Sequence, residues 1–175
     1  VLGGQELIRL LLPVFRAQNQ GRIVQMSSML GYVALAYRGA YCASKYAIEG
    51  LTDALRLELR GTNIHVAIVE PGPIKARFRD NAYAAFKTYI DKDRSAHREQ
   101  YEAMIGRLEG QRGPLPFTLP PEAVLKRVVH ALESRHPHRR YQVTVPAYLT
   151  AWLRRLLPTP LLDWLLYRIG GEGRR

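Results

Sequence analysis

Cysteine is all but absent from this 175-residue chain. Cys42 stands alone, so no internal disulfide can form and no CxxC pair exists for metal or redox work. That usage suits a reducing, cytoplasmic setting. Long hydrophobic runs are missing too. The most apolar stretch, Tyr148 to Ile169, carries Trp152 and Trp164 but is interrupted by Arg154, Arg155, Pro158, Pro160 and Asp163. A bilayer span needs about 20 largely uninterrupted apolar residues. Two short helices packing over the domain are expected there, with a membrane-surface contact or a lid over an apolar substrate as the alternatives. Acidic residues are few beside basic ones, 15 against 26, giving a net charge of +11. Clustered cations would bind phosphates without regard to sequence. Here the basic residues, mostly arginine, are scattered from Arg9 to Arg175 and no recognition motif accompanies them, so no nucleic-acid partner is expected. No internal repeat is present, and no basic segment followed by an apolar stretch precedes the first helical pattern.

What is present is enough apolar content, 47%, for one ordinary domain or part of one. Leu2, Ile8, Leu11, Leu12 and Phe15 fall at near-helical spacing over residues 1–19, with Gly21 as a stop. Arg22 to Ser28 is a short β-branched run of the kind that forms a buried parallel strand. A long helix is expected from Ala40 to Arg60, turning Ala47, Leu51, Ala54, Leu55 and Leu59 to a core and closing at Gly61. Residues 63–70 read as a second strand, ended by Pro71 and Gly72. Strand, long helix and strand make a βαβ crossover, so the fold class is α/β with a parallel sheet.

Beyond the second strand, residues 73–121 read as an insertion with helices near 78–90 and 93–109 and a Pro/Gly-rich break at 113–121. Open α/β sheets place ligand-binding loops at such strand ends. A further helix at 121–135 and a third strand at 140–146 complete a catalytic part over residues 1–146, leaving 147–175 as a helical tail.

YxxxK places a phenol and an ammonium one helical turn apart on one face. The chain has two copies, Tyr41-Lys45 and Tyr83-Lys87. Tyr41 opens a helix directly after a strand and loop, whereas Tyr83 lies inside the insertion, where a solvated helix face accounts for it. A tyrosine with a pKa near 10 exchanges protons poorly at neutral pH. A neighbouring cation stabilises the phenolate, and Lys45 is placed to supply one. A hydroxyl to hold the substrate oxygen would come from Ser27 or Ser28, at the carboxyl end of the first strand.

GRIVQMSSMLG, YCASKYAIEGLTDALRLELR and VAIVEPGPI resemble, in order, successive blocks of the short-chain dehydrogenase/reductase family, over roughly residues 1–76. In that family the catalytic serine precedes the tyrosine by thirteen positions, which selects Ser28. The resemblance implies that Ser28 orients a carbonyl, that Tyr41 transfers the proton, and that Lys45 tunes the tyrosine and binds the nicotinamide ribose. It also implies that Pro71 and Gly72 lie against the nicotinamide of NADP or NAD, with the backbone of Ile74 on the carboxamide. Ala76 stands where many members carry threonine or serine. RGAYCASKYAIEG and EPGPIKARF look most like the retinol- and hydroxysteroid-dehydrogenase branch, which implies apolar alcohols and carbonyls as substrates.

Two family features are missing. No TGxxxGxG loop occurs in the chain, so the glycine-rich turn that would cradle the pyrophosphate is absent. Matching Gly3 and Pro13 to the family's NxxG and LP pattern puts the family's asparagine immediately before Val1. Both absences fit a sequence that begins about halfway through a complete protein, representing strands 5, 6 and 7 of a Rossmann-like sheet. The reading is therefore the catalytic half of an NAD(P)(H)-dependent oxidoreductase, homo-oligomeric when complete. The alternative is a truncated, non-catalytic relic or interaction module, either free or associated with a membrane surface.

Overall fold

The computed structural model describes residues 1–109 and 116–170. Three parallel strands, β1 (Gly21–Met26), β2 (Ile64–Glu70) and β3 (Arg140–Gln142), form one sheet in the order β1-β2-β3. Gly21 pairs with Ile64 at one end of the β1-β2 ladder and Met26 with Val69 at the other. The carboxyl ends of β1 and β2 thus open side by side. This is the α/β parallel architecture expected, with β1 at one edge of the described sheet.

Helix α1 (Leu2–Ala17) precedes β1 and lays Ile8, Leu12 and Phe15 against Ile23, Leu55, Leu59, Ile64 and Val66. Asn19, at φ 48°, makes the left-handed turn between α1 and β1, a conformation asparagine accepts more readily than most residues. Helix α2 (Gly39–Glu58) is the crossover, and Gly61, at φ 84°, follows its end.

The face that α2 buries differs from the expected one. Leu55 and Leu59 are buried, but Leu51 and Ala54 are exposed; the covered residues are Cys42, Glu49, Thr52 and Leu55. That stripe keeps helical spacing but includes polar members, each with a partner: the Thr52 hydroxyl donates to Ile48 O at 2.6 Å and Glu49 accepts from Arg140.

In the insertion, α3 (Phe78–Tyr89) and α4 (Arg98–Leu108) pack on one another. The second helix starts at Arg98 rather than residue 93. Asp91 and Ser95 accept from the backbone N–H groups of Arg94 and His97, and such local side-chain bonds favour turns over helix. The Pro/Gly-rich break expected at 113–121 lies partly outside the described residues. Leu119 returns to the sheet side, bridging Ile74 in parallel.

Helix α5 (Glu122–Glu133) leads to β3. The third strand stops at Gln142 instead of continuing to residue 146. Thr144 caps α6 (Val145–Leu156), its Oγ1 accepting from Ala147 N, and Pro146 sits in the first turn, where its missing N–H costs nothing. Helix α7 (Thr159–Gly170) folds back so that Leu162 and Leu166 bury against Leu30, Val33 and Cys42. The tail is thus two helices over the domain, beginning at residue 145.

Candidate active site

The ends of β1 and β2 lead into Ser28 and into Pro71-Gly72, and Lys45 of α2 reaches the end of β1. Met26 and Glu70 are the last residues of β1 and β2, and the chain continues from them into Ser27-Ser28 and Pro71-Gly72. Two cross-links hold these exits together. Ser27 N donates to Val69 O at 2.8 Å, and Met29 N donates to Pro71 O at 2.9 Å.

Ser28 is half-buried, and its Oγ accepts from Leu30 N at 3.2 Å, starting a short 3-10 turn at Met29–Gly31. The same hydroxyl lies 3.4 Å from Pro71 O, to which it can donate. Ser27 is buried, and its Oγ has no hydrogen-bond partner. Of the two serines, Ser28 is the one that solvent or a ligand can reach.

Tyr41 is the third residue of α2, and Lys45 follows one turn later. The ammonium stands 5.7 Å from the centre of the Tyr41 ring and donates to Met26 O at 2.9 Å. That bond fastens the start of α2 to the mouth of β1. Burial pulls the Lys45 pKa below the ordinary lysine value, and the Glu49 carboxylate opposes the shift. A partly desolvated ammonium is a strong donor to a ligand hydroxyl. The Tyr41 ring packs against the cluster that α7 completes and meets Phe78, the first residue of α3.

Gly72 is required by space. A Cβ there would lie 2.0 Å from Thr144 Oγ1, so the loop passes directly over the cap of α6. Ile74, half-buried, packs against the cluster of Ala67, Val69, Ala131, Tyr141 and Val143. Its neighbours tie the loop to the insertion's return, Lys75 N donating to Leu119 O at 2.9 Å and Leu119 N to Pro73 O at 3.1 Å.

The second YxxxK pair is elsewhere and differently bonded. Tyr83 OH donates to Glu109 Oε1 at 2.5 Å, while Lys87 Nζ lies over the Tyr83 ring, 4.5 Å from its centre. Both belong to α3, away from the strand ends.

Sequence reading did not identify Phe78, nor the carboxylates Glu49 and Glu70 with their partner Arg140. Phe78 sits at the start of a helix just beyond the loop, a position that could have marked it. Arg140 is 91 residues from Glu49 and 70 from Glu70, and no local pattern joins them. Among the described residues, no group of three or more His, Cys, Asp or Glu side chains could hold a metal ion.

A parallel sheet with a YxxxK helix crossing between two open strand ends is the arrangement these elements make, and the short chain dehydrogenase family model matches residues 1–86. The chain belongs to the short-chain dehydrogenase/reductase family. It is 41% identical over 164 residues to an uncharacterized oxidoreductase of Escherichia coli (strain K12), YbbO, covering 94% of this chain and 55% of that protein. It is 34% identical over 174 residues to retinol dehydrogenase 16 of Mus musculus, covering 95% of this chain and 54% of that protein. A short chain dehydrogenase from Burkholderia cenocepacia J2315, solved in complex with NADP, superposes with a TM-score of 0.68 at 22% identity, over 95% of this chain and 57% of that one. The chain spans about 55% of the length of the curated relatives it matches.

Proposed function

We propose that the chain supplies the proton-transfer half of an oxidoreductase that interconverts a carbonyl and an alcohol with NADP or NAD. The convergence of Ser28, Tyr41, Lys45 and the Pro71-Gly72 loop at two adjacent strand ends carries this reading. Those residues fit the nicotinamide and its ribose: a partly desolvated ammonium for hydroxyls, and a loop at the strand end that Gly72 lets pass close over Thr144. They do not fit the pyrophosphate, which needs a glycine-rich turn from sequence outside this chain.

The cofactor, when bound, supplies or accepts the hydride. The rest falls to side chains of this chain. Ser28 Oγ donates to the substrate oxygen and orients it. The Tyr41 phenol gives that oxygen a proton as the carbonyl is reduced and takes it back when the alcohol is oxidised. Lys45 favours the phenolate by its charge and holds the ribose, while Pro71, Gly72 and the backbone of Ile74 support the nicotinamide.

An apolar substrate is supported by the rings beside Tyr41. Phe78 meets Tyr41, Tyr37 from the loop before α2 packs on His97 and Tyr101 of the insertion, and Phe86 packs on Tyr101. The kinship to a protein named retinol dehydrogenase agrees with that class. The test is Tyr41→Phe in the protein expressed at the length of its relatives. Carbonyl reduction should be lost while cofactor affinity stays near wild type; near-normal turnover would remove Tyr41 from the mechanism.

A surface-bound role has its own observation. Val145, Leu149, Trp152 and Leu156 recur one turn apart on α6 and are all exposed, with Arg154 and Arg155 exposed between them. We propose contact of this stripe with an anionic lipid interface, in a protein that is otherwise cytoplasmic. Among the described residues, no helix is long and apolar enough to cross a membrane. Sedimentation with anionic vesicles, with and without residues 148–175, decides it. The exposed Leu7, Leu10 and Val14 of α1 support self-association of the complete protein, which light scattering would measure.

A further inference from the structure

Three carboxylates converge on one guanidinium beneath the site. Arg140 Nη1 donates to Glu49 Oε2 at 2.6 Å and also to Glu70 Oε1, while Nη2 reaches both oxygens of Asp53 at 2.8 and 2.7 Å. Gln142 Nε2 donates to the other oxygen of Glu70. The Glu70 side chain is fully buried, and Glu49 is nearly so. Burial of such charges is costly unless each is paired, so their retention asks for a reason beyond packing.

Their places in the chain suggest it. Glu49 lies four residues after Lys45, on the same side of α2. Glu70 is the last residue of β2, immediately before Pro71 and Gly72. Arg140 opens β3 and grips both. The free oxygen of Glu49, Oε1, has no hydrogen-bond partner, and neither does the buried Ser27 Oγ. Both lie within 3 Å of where a Cβ on Gly31 would stand, at 2.9 and 2.5 Å. The cluster therefore reaches from the turn below Lys45 to the serine next to Ser28 and to the strand end that opens onto the cofactor loop.

We propose that Arg140, clamped between Glu49 and Glu70, is a positioning residue: it fixes the distance between the Tyr41-Lys45 turn and the Pro71-Gly72 loop. This rests on the assignment of Tyr41 and Lys45 made above. A displacement of about 1 Å in such a constellation can lower the rate by roughly 100-fold without any loss of groups that touch substrate. The Glu49 carboxylate opposes the effect of burial on Lys45.

The experiment uses the protein at the length of its relatives, with three variants and Tyr41→Phe as reference. Arg140→Met should lower kcat by about 10- to 100-fold in molecules that remain folded by circular dichroism, and raise KM for NADPH. Arg140→Lys, which keeps the charge but not the fork, should recover part of kcat. Glu49→Gln keeps the shape and removes the anion. Lys45 then loses the group that opposes its burial, so the alkaline limb of the kcat profile should move to lower pH.

The charged group that acts on Lys45 is Glu49 of its own helix, which is paired in turn with Arg140 of β3, the partner of Glu70 of β2. Tyr32, from the loop after β1, faces the same cluster but is kept a neutral phenol by burial. A purely structural cluster would reduce the amount of folded protein and leave kcat per folded molecule and the alkaline limb unchanged, and that result overturns the proposal. Should Arg140→Met fail to fold, Arg140→Lys decides: a kcat per folded molecule equal to wild type in that variant overturns the proposal. Normal turnover in Tyr41→Phe would instead sink the catalytic assignment, so the two failures are separable.

Discussion

The rings of Tyr41 and Phe78 lie 5.3 Å apart, centre to centre, at an interplanar angle of 59°. Helix α2 and the insertion therefore meet at an aromatic contact. Phe78 is itself 57% exposed, so one side of its ring remains free for an apolar ligand. Phe78→Ala should raise KM for an apolar carbonyl several-fold and alter kcat little, given that an aromatic pair contributes about 0.5–1.5 kcal/mol beyond its area. Steady-state kinetics with a homologous series of aldehydes checks this. A fall in kcat at unchanged KM would place Phe78 in support of Tyr41 rather than of the substrate.

The Lys45 bond to Met26 O and the Ser28 bond to Leu30 N give the two side chains different anchors, and their variants should part accordingly. Lys45→Ala is expected to depress turnover and weaken cofactor binding together, because it removes both the cation near Tyr41 and the donor to the ribose. Ser28→Ala should reduce kcat and leave the cofactor's Kd near wild type. Tyr83→Phe is the control. Its hydroxyl serves Glu109, so it should change turnover less than twofold. Fluorescence titration with NADPH alongside initial rates separates these cases, and equal damage from Tyr83→Phe would reverse the choice between the two YxxxK pairs.

Glu70 yields a pH prediction of definite sign. Burial, then the Glu49 carboxylate, push its pKa up to about 7, against the pull of Arg140. A carboxyl whose folded pKa is raised favours the folded state while protonated. Its contribution is complete below the unfolded value and is lost as pH rises through about 7. The urea midpoint of the protein should therefore fall between pH 5 and 8 relative to that of Glu70→Gln, in which nothing titrates at this position. Parallel curves for the two proteins over that range would contradict the assignment.

The secondary structure was legible where local chemistry and long-range packing agree. IHVAIVE at 64–70 is an apolar β-branched run, and it is the central strand, with its last five residues all buried. YCASK followed by Gly61 announced α2. The third strand was read too long because the apolar pattern of VTVP outweighed Thr144 and Pro146, a helix-start signal that sat inside it. The inward face of α2 was misjudged because hydrophobicity alone was taken to mark it. Glu49 is covered there by Arg140, a partner that only the parallel pairing of β2 with β3 brings near. Tyr41 and Lys45 could be singled out from the YxxxK spacing with its context, and Ser28 only through the family resemblance, whereas Phe78, Glu70 and Arg140 required the fold.

β1 pairs with β2 alone among the described strands, and Met26 at its end is 43% exposed. Unpaired N–H and C=O groups along such an edge recruit other strands. The 175-residue chain expressed by itself should associate into polydisperse species and bind no NADPH, as read by analytical ultracentrifugation and fluorescence. A monodisperse chain that unfolds cooperatively and binds the nucleotide would overturn this expectation and would require a phosphate site without a glycine-rich loop.

Thr144 occupies the room that any side chain at position 72 would need. The two positions are thus not free to drift separately over evolutionary time. A lineage that replaced Gly72 would first have to shrink residue 144 to alanine or glycine, giving up the hydroxyl that caps α6, and a lineage that enlarged residue 144 would be confined to glycine at 72. The history of α6 is in this way written into the Pro71-Gly72 loop, and relatives should exchange the pair together or not at all.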